Sequence, residues 1–192
     1  SKFGEFCLDN YIKASDNVID LGCGNGRDGV YIFKKTQNYT GIDLSTSAID
    51  VCENKFQNLG FDSSKYIFLS QDMSNVLKLN EIKRNVFYSR FSLHSVNLET
   101  ENKILENLKN LTEDWIFLLE VRTIHDDLFG QGEALGENEF VTDHYRRFID
   151  PETLINKIRK TFKIISKDLS SGLALYKNED PIVLRLIFSK NE

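Results

Sequence analysis

The sequence predicts a single α/β domain with a mostly parallel β-sheet and helices on both faces. Short apolar runs alternate with helical stretches along the chain, which is the pattern of βαβ units. The runs are continuously apolar, as expected of parallel strands buried on both faces. A length of 192 residues fits one domain with a sizeable core.

The individual elements follow from these patterns in chain order. Ser45 has the side chain and the position of a helix N-cap, and its helix should extend to about Leu59. The turn-prone stretch 177–181 lies between the last two strands and predicts an antiparallel C-terminal hairpin on a seven-stranded sheet. The other predicted elements are helices at 3–14, 27–36, 99–111 and from about Pro151, and strands at 18–21, 39–43, 66–69, 86–91, 115–121, 162–168 and 182–189.

Residues 122–150 form a long segment without a clean hydrophobic period. A segment of this length without regular elements is usually functional or mobile in a compact domain. Gly130, Gly132 and Gly136 would allow it to move as a lid. We therefore expect this insertion to border a binding site.

Composition and charge narrow the function classes. The formal net charge of −5 argues against a nucleic-acid-binding surface, which needs a basic face. Cys7, Cys23 and Cys52 lack metal-ligand spacing, so we expect a reduced, cytoplasmic protein. No apolar run reaches the roughly 20 residues of a membrane span, and no signal peptide is visible. The chain begins at Ser1 rather than at a methionine, so we expect a tag or a preceding segment to have been removed.

Three polar loops follow the first three predicted strands. The glycines of residues 20–26 allow the backbone to turn sharply and to approach a ligand closely. Asp43 ends the next strand, where its carboxylate can accept hydrogen bonds from ribose hydroxyls. Asp72 and Met73 follow the third strand and can contact an adenine amino group and ring. All three loops lie at the carboxyl edge of the sheet, where open α/β folds bind ligands.

The order D-L-G-C-G-N-G, G-I-D-L-S and S-Q-D-M is similar to the first three motifs of class I S-adenosylmethionine-dependent methyltransferases, over roughly residues 3–120. The resemblance implies their Rossmann-like fold, with S-adenosyl-L-methionine as cofactor and S-adenosyl-L-homocysteine as product. It also implies cofactor contacts from each loop. The residues are Asp20, Gly22, Cys23, Gly24, Asn25, Gly26 and Arg27 for the methionine part, Asp43, Leu44 and Ser45 for the ribose, Gln71, Asp72 and Met73 for the adenine, and Arg90.

Two alternatives stay open from the sequence. Residues 24–29 also satisfy G-x-G-x-x-G, and Asp43 follows at about the distance found in nicotinamide-dinucleotide sites of oxidoreductases. Against that interpretation, Asp20 precedes the glycines, Asp72 follows the third strand, and no second domain remains for a hydride acceptor. A non-catalytic cofactor-binding domain is the other alternative.

The acceptor side is expected to be cationic. Methyl transfer requires alignment of the acceptor, and a general base only where the acceptor must lose a proton. Arginine suits phosphate and carboxylate oxygens, so we expect a small anionic acceptor, with His94 or His144 as a base where one is needed. The alternative is that Arg90 pairs with a carboxylate, that His94 caps a helix and that 143–148 is a solvated turn. The candidate acceptor residues are Arg90, His94, Arg122, His144, Tyr145, Arg146 and Arg147.

The substrate class is narrowed by two short segments. R-F-S-L-H at 90–94 and H-Y-R-R-F at 144–148 resemble a subgroup of small bacterial methyltransferases of surface-polysaccharide modification, including capsular phosphoramidate methylation. The Asn/Asp-Pro-Pro-aromatic motif of enzymes that methylate amino groups in nucleic acid or protein is absent. His125, Asp126 and Asp127 are adjacent and should not converge on one ion. We therefore expect a metal-independent O-methyltransferase with a small substrate, no nucleic-acid partner, no membrane contact and an oligomeric state that stays open.

Overall fold

The structure is a computed structural model that describes residues 1–75, 83–177 and 179–191. Position 178 of the predicted turn at 177–181 lies outside these ranges. The helices are α1 (Lys2–Asn10), α2 (Gly29–Thr36), α3 (Thr46–Asn58), α4 (Leu98–Lys109) and α5 (Pro151–Arg159), with 3-10 turns at Ser63–Lys65 and Leu93–Ser95. The strands are β1 (Asn17–Leu21), β2 (Tyr39–Asp43), β3 (Tyr66–Ser70), β4 (Asn85–Arg90), β5 (Trp115–Arg122), β6 (Glu133–Gly136), β7 (Glu139–Val141), β8 (Tyr145–Arg147), β9 (Phe162–Ser170) and β10 (Val183–Lys190).

The main sheet has seven strands in the order β3-β2-β1-β4-β5-β10-β9. Strands β3, β2, β1, β4 and β5 are parallel, whereas β10 is antiparallel to both β5 and β9. The predicted α/β architecture, with its antiparallel C-terminal hairpin, is confirmed.

Two apolar clusters cover the two faces of this sheet. Val18 and Leu118 pack with residues of α1, α2 and α3, whereas their chain neighbours Ile19 and Phe117 pack with residues of α4 and α5. Adjacent strand residues point to opposite faces, so a strand that is covered on both sides is apolar at every position. The carboxyl ends of the parallel strands are thereby held rigidly at one edge.

Helix boundaries differ from the predictions where polar loops intervene. Helix α1 ends at Asn10 rather than at 14, because the backbone nitrogen of Lys13 donates to the Asp16 carboxylate and closes a turn. Helix α2 begins at Gly29 rather than at 27, because positive φ angles at Gly22, Gly24 and Gly26 prolong the preceding loop. The predicted N-cap of α3 is confirmed: the Ser45 hydroxyl accepts a hydrogen bond from the backbone nitrogen of Ala48.

The insertion at 122–150 contains regular structure, which corrects the sequence prediction. Strands β6, β7 and β8 form a small antiparallel sheet. These strands have three or four residues each, and most of their side chains are exposed or half-buried, so no apolar alternation marks them. The rings of Phe129, Phe140 and Phe148 pack against one another at centroid distances of 5.4 to 6.0 Å and anchor the insertion. Within the described ranges, no helix is long and apolar enough to cross a membrane.

Candidate active site

A cleft of about 540 Å³ opens at the carboxyl edge of the sheet, above the ends of β1, β2 and β4. Many of the residues predicted from the sequence line it: Asp20, Gly22, Cys23, Gly24, Asn25, Arg27, Asp43, Leu44, Met73 and Arg90. Sequence reasoning missed the other lining residues, which are Asp28, Tyr88, Phe91, Ser92, Ser95 and Val96. A cleft of this volume is in the range that small-molecule ligands and cofactors occupy.

The glycine loop and Asp43 form one hydrogen-bonded unit. The backbone nitrogen of Gly24 donates to Asp43 Oδ2 at 2.9 Å, and the backbone nitrogen of Ser45 donates to Oδ1 at 2.9 Å. A Cβ atom on Gly22 would lie 2.4 Å from the Cβ of Ser92. Only glycine at position 22 therefore allows the loop to approach the end of β4 this closely. Each carboxylate oxygen of Asp43 keeps a second lone pair for a ligand hydroxyl.

Asp20 is almost completely buried at the bottom of the cleft, with 4% exposure. Tyr39 donates its hydroxyl proton to Asp20 Oδ2 at 2.7 Å. Burial raises the pKa of Asp20 to about 7; the Tyr39 hydrogen bond opposes this rise and the nearby Asp28 and Asp43 carboxylates add to it. A cationic ligand group beside Asp20 would therefore favour its ionised form.

Asp28 and Tyr88 close the end of the cleft beside α1. Asp28 Oδ2 accepts hydrogen bonds from the hydroxyls of Tyr88 at 2.8 Å and Ser1 at 2.7 Å, and Oδ1 accepts one from the Ser1 nitrogen. Burial opposes ionisation of Asp28, but these hydrogen bonds lower its pKa below the ordinary value. Phe3 of α1 stacks on the Tyr88 ring at 5.2 Å, so α1 is part of this wall.

Gly26, Ser45, Gln71 and Asp72 lie beside the cleft rather than in its lining. Gly26 packs against Cys52, and the Ser45 hydroxyl is occupied as the α3 cap. The backbone nitrogen of Gln71 donates to the carbonyl oxygen of Asp43 at 3.0 Å. The Asp72 carboxylate accepts from the backbone nitrogen of Ser74 at 2.7 Å, and hydrogen bonds from Ser74 lower the pKa of Asp72. Of the residues predicted to contact the ribose and the adenine, Leu44 and Met73 line the cleft together with Asp43.

The arginines of the acceptor side are paired with carboxylates. Arg90 Nε donates to Glu120 Oε1 at 3.1 Å, which is the pairing that the alternative interpretation expected. Arg122 uses both terminal nitrogens, Nη1 on Asp126 at 2.8 Å and Nη2 on Glu179 at 2.6 Å. Both guanidinium groups lie over the ring of Phe91, at 4.5 Å and 5.4 Å from its centroid.

The insertion reaches the mouth of the cleft through β8. Arg147 Nε donates to the carbonyl oxygen of Val96 at 3.0 Å, and its Nη2 donates to Glu101 at 2.6 Å. Arg146 faces the other way, and its Nη1 donates to Thr142 Oγ1 and Asp143 Oδ1. Strand β8 therefore contacts the segment that follows the Leu93–Ser95 turn, although 144–148 stays outside the cleft lining.

The two histidines and Tyr145 differ sharply in environment. His94 is buried in the Leu93–Ser95 turn, and its Nδ1 accepts from the backbone nitrogen of Arg122 at 3.4 Å. Burial lowers the pKa of His94 to about 3, with Arg122 and other nearby cations adding to this, so His94 is neutral and unsuited to act as a base. His144 is half-exposed beside Asp143, with 3.0 Å between Nδ1 and Oδ2. Burial and then Glu139 raise the pKa of Tyr145 to about 12.

Among the residues that the structure describes, no three or more His, Cys, Asp or Glu side chains are arranged to hold a metal ion. Asp126 is buried as the partner of Arg122.

The comparisons with known proteins agree with this geometry. A family model described as a methyltransferase domain matches residues 12–166, and the chain belongs to this family. "Putative methyltransferase YqeM" of Bacillus subtilis is 28% identical over 110 residues, which cover 55% of this chain and 42% of that protein. The match thus spans less than half the length of that relative.

Solved structures share the fold across almost the whole chain. An S-adenosylmethionine-dependent methyltransferase from Clostridium acetobutylicum has a TM-score of 0.73 at 17% identity, covering 100% of this chain and 92% of that one. One from Methanosarcina mazei has a TM-score of 0.76 at 17% identity, covering 95% and 96%. The glycopeptide N-methyltransferase MtfA, complexed with S-adenosyl-L-homocysteine, has a TM-score of 0.69 at 16% identity, covering 99% and 89%.

The chain thus belongs to a methyltransferase-domain family and has the fold of class I S-adenosylmethionine-dependent methyltransferases. The predicted Rossmann-like methyltransferase fold is confirmed, as is S-adenosylmethionine as the cofactor of the class.

Proposed function

We propose that this protein transfers the methyl group of S-adenosylmethionine to a small acceptor in the cleft at the sheet edge. The observation that carries the proposal is the convergence of Asp20, Asp43 and Met73, from three separate strand ends, on one cavity of cofactor size in a chain of the methyltransferase family. Asp43 would accept the ribose hydroxyls, and Leu44 and Met73 would pack on the adenine.

The methionine part of the cofactor has an ammonium and a carboxylate group, and the cleft offers partners for both. Asp20 and the glycine loop would take the ammonium group. Arg27 is exposed and has no ion pair within the described ranges, and Arg90 also lines this part of the cleft. These two cations would compensate the carboxylate.

When bound, S-adenosylmethionine would supply a sulfonium methyl group for in-line transfer to the acceptor, with S-adenosylhomocysteine as the leaving thioether. The protein's task is alignment of the two reactants. Phe91, Ser95 and Val96 form the wall on which the acceptor would lie.

The acceptor is proposed to be a small anion that is methylated on oxygen without a metal ion. The support is that His94, with its lowered pKa, is a poor base, while Asp20 and Asp43 of the cleft are assigned to the cofactor in this proposal. An anionic oxygen needs no base. Arg146 does not line the cleft, but it would contact an anionic group that extends beyond the mouth, because its Nε and Nη2 make no hydrogen bond to the described residues.

A phosphorylated or phosphoramidate-type capsule precursor in a bacterial cytoplasm is the narrowest form of the proposal. It rests on the two resembling segments, which meet around the Leu93–Ser95 turn through the contact of Arg147 with Val96. Nucleic acid is not proposed as a partner, because the net charge is −5.

The test is incubation of the protein with isotopically labelled S-adenosylmethionine and a bacterial small-molecule extract, followed by mass spectrometry. A labelled methyl on an anionic metabolite is expected, and Arg146→Ala should reduce its yield without weakening S-adenosylhomocysteine binding. A labelled neutral or cationic product would reject the anionic acceptor. Cofactor binding without a product across extracts would favour a non-catalytic domain, and nicotinamide-dinucleotide binding would favour the oxidoreductase alternative.

A further inference from the structure

We propose that Glu120 is a positioning residue that aims Arg90 at the carboxylate of the cofactor's methionine part, within a buried triad of Arg90, Glu120 and Arg185. The inference rests on the proposed function and assigns a role to a residue of β5 that does not line the cleft.

The triad is a row of three residues across neighbouring strands. Glu120 of β5 is in register with Arg90 of β4 on one side and with Arg185 of β10 on the other. The Glu120 side chain has 0% exposure, and each of its carboxylate oxygens accepts a hydrogen bond from a different arginine. Oε1 accepts from Arg90 Nε at 3.1 Å, and Oε2 accepts from Arg185 Nε at 2.8 Å. Side chains in register on adjacent strands share a face, which fixes this order.

Glu120 holds Arg90 by one nitrogen and leaves its other two for a ligand. Neither terminal nitrogen of Arg90 has a hydrogen-bond partner in the described part of the chain, and its side chain is 17% exposed in the cleft lining. Arg122, by contrast, spends both terminal nitrogens on Asp126 and Glu179. Two parallel N–H groups of a fixed guanidinium bind a carboxylate in bidentate fashion.

Arg185 sustains the charge of Glu120 from the far side. Burial raises the pKa of Glu120, and the neighbouring Arg185 and then Arg90 oppose that rise. The Arg185 guanidinium lies over the rings of Phe3 and Phe6 of α1, 5.3 Å and 5.1 Å from their centroids, which shields the pair from water. Because two cations share one carboxylate, the triad has a net positive charge that reaches the cleft through Arg90. Two further carboxylates face Arg90: Asp28, with Oδ2 4.0 Å from Nε, and Asp20, whose pKa the Arg90 charge lowers.

The test compares the affinities of two ligands by calorimetry. S-adenosylhomocysteine has the amino-acid part with its carboxylate, whereas 5′-methylthioadenosine has the same nucleoside and thioether without it. Glu120→Gln should weaken S-adenosylhomocysteine binding about tenfold and leave methylthioadenosine binding unchanged. Arg90→Ala should do the same. The double variant should lose no more than Arg90→Ala alone, because Glu120 acts through Arg90.

A matched control comes from a second buried glutamate that forms ion pairs with two basic side chains. Glu101 is 2% exposed and pairs with Arg147 at 2.6 Å and Lys157 at 2.5 Å, away from the cleft lining. Glu101→Gln should lower thermal stability but leave both affinities unchanged. If Glu120→Gln does not fold, Glu120→Asp keeps the buried charge but is one methylene too short to serve both arginines, and the same ligand-selective loss is expected.

Three outcomes would overturn the proposal: equal losses for both ligands, an unchanged affinity for S-adenosylhomocysteine, or additive losses in the double variant. Absence of S-adenosylhomocysteine binding by the unmodified protein would overturn the proposed function together with this inference, and so is distinguishable from the other three.

Discussion

Asp43 holds Gly24 in place: its Oδ2 accepts from the backbone nitrogen of Gly24 at 2.9 Å, across the gap between β2 and the loop after β1. The same carboxylate accepts from the backbone nitrogen of Ser45 through Oδ1. The proposed ribose site and the glycine loop are therefore connected by hydrogen bonds, and a substitution in either should change the shape of the cleft.

Replacement of Asp43 tests this unit. Asp43→Ala should lower the affinity for S-adenosylhomocysteine at least about tenfold, because the ligand loses its ribose acceptor and the loop loses its anchor. Isothermal titration calorimetry measures the change. Asp62→Ala is the control, since Asp62 accepts from the backbone nitrogen of Ser64 in a similar exposed turn remote from the cleft. An affinity that Asp43→Ala leaves intact would remove Asp43 from the site.

The raised pKa of Asp20 predicts a pH-dependent cost to stability. Between pH of about 4 and about 7, the folded protein keeps a proton on Asp20 that the unfolded chain has released. The free energy of unfolding contributed by this group therefore falls as pH rises through that window, by about 2 to 3 kcal/mol between pH 5 and pH 7. Asp20→Asn has no proton to release, so its stability relative to the unmodified protein should rise over this window. Denaturant titrations at several pH values measure the difference, and a constant difference would contradict the buried, raised-pKa carboxyl.

The lowered pKa of His94 predicts the opposite pH dependence of the free energy of unfolding. Its folded pKa is lowered to about 3 from an ordinary value of 6.5, so the unfolded chain binds the proton first as the solution is acidified. Stability contributed by His94 is present above pH 6.5 and falls by about 2 to 3 kcal/mol on acidification to about pH 4.5.

Because Asp20 and His94 oppose each other in the unmodified protein, the effect of His94 must be measured against a variant. His94→Asn removes the titrating ring, so the stability difference between it and the unmodified protein should shrink on acidification. A difference independent of pH would mean that His94 is accessible to water, and would restore it as a candidate base.

Phe91 has a φ angle of +56°, in the left-handed region that bulky residues avoid. Its backbone nitrogen still donates to the carbonyl oxygen of Glu120 at 2.9 Å, so the chain turns sharply where the sheet ladder ends. We expect Phe91→Gly to be more stable than Phe91→Ala by about 1 kcal/mol, since only alanine retains the Cβ strain.

The reverse order is expected at Val51, an exposed residue within α3. There, the alanine variant should be more stable than the glycine variant by about 0.5 to 1 kcal/mol. Thermal denaturation of the four variants makes the comparison. The same order at both positions would show that Phe91 is unstrained.

The sequence was most informative where the determinants are local. Continuous apolar runs predicted the buried strands, and the glycines after β1 predicted the loop at whose edge the cleft opens. The small β6–β8 sheet was missed because its short, exposed strands have no hydrophobic period. Phe91 was missed as a lining residue because the sequence has no glycine nearby that would indicate a sharp turn there.

Pairings between distant residues depend on strand register. The contact of Glu120 with both Arg90 and Arg185 requires the order β4-β5-β10, which no local pattern specifies. The same limit applies to the acceptor side. The arginines there indicated anion binding, but in the folded protein Arg122 pairs with the carboxylates of Asp126 and Glu179.

The most direct test of the central claim is a pair of calorimetric titrations of the unmodified protein, one with S-adenosylhomocysteine and one with NAD⁺. A methyltransferase cleft predicts saturable binding of S-adenosylhomocysteine at one site per chain and no heat of binding from NAD⁺. Binding of NAD⁺ in preference, or no binding of S-adenosylhomocysteine, would contradict the assignment of this cleft.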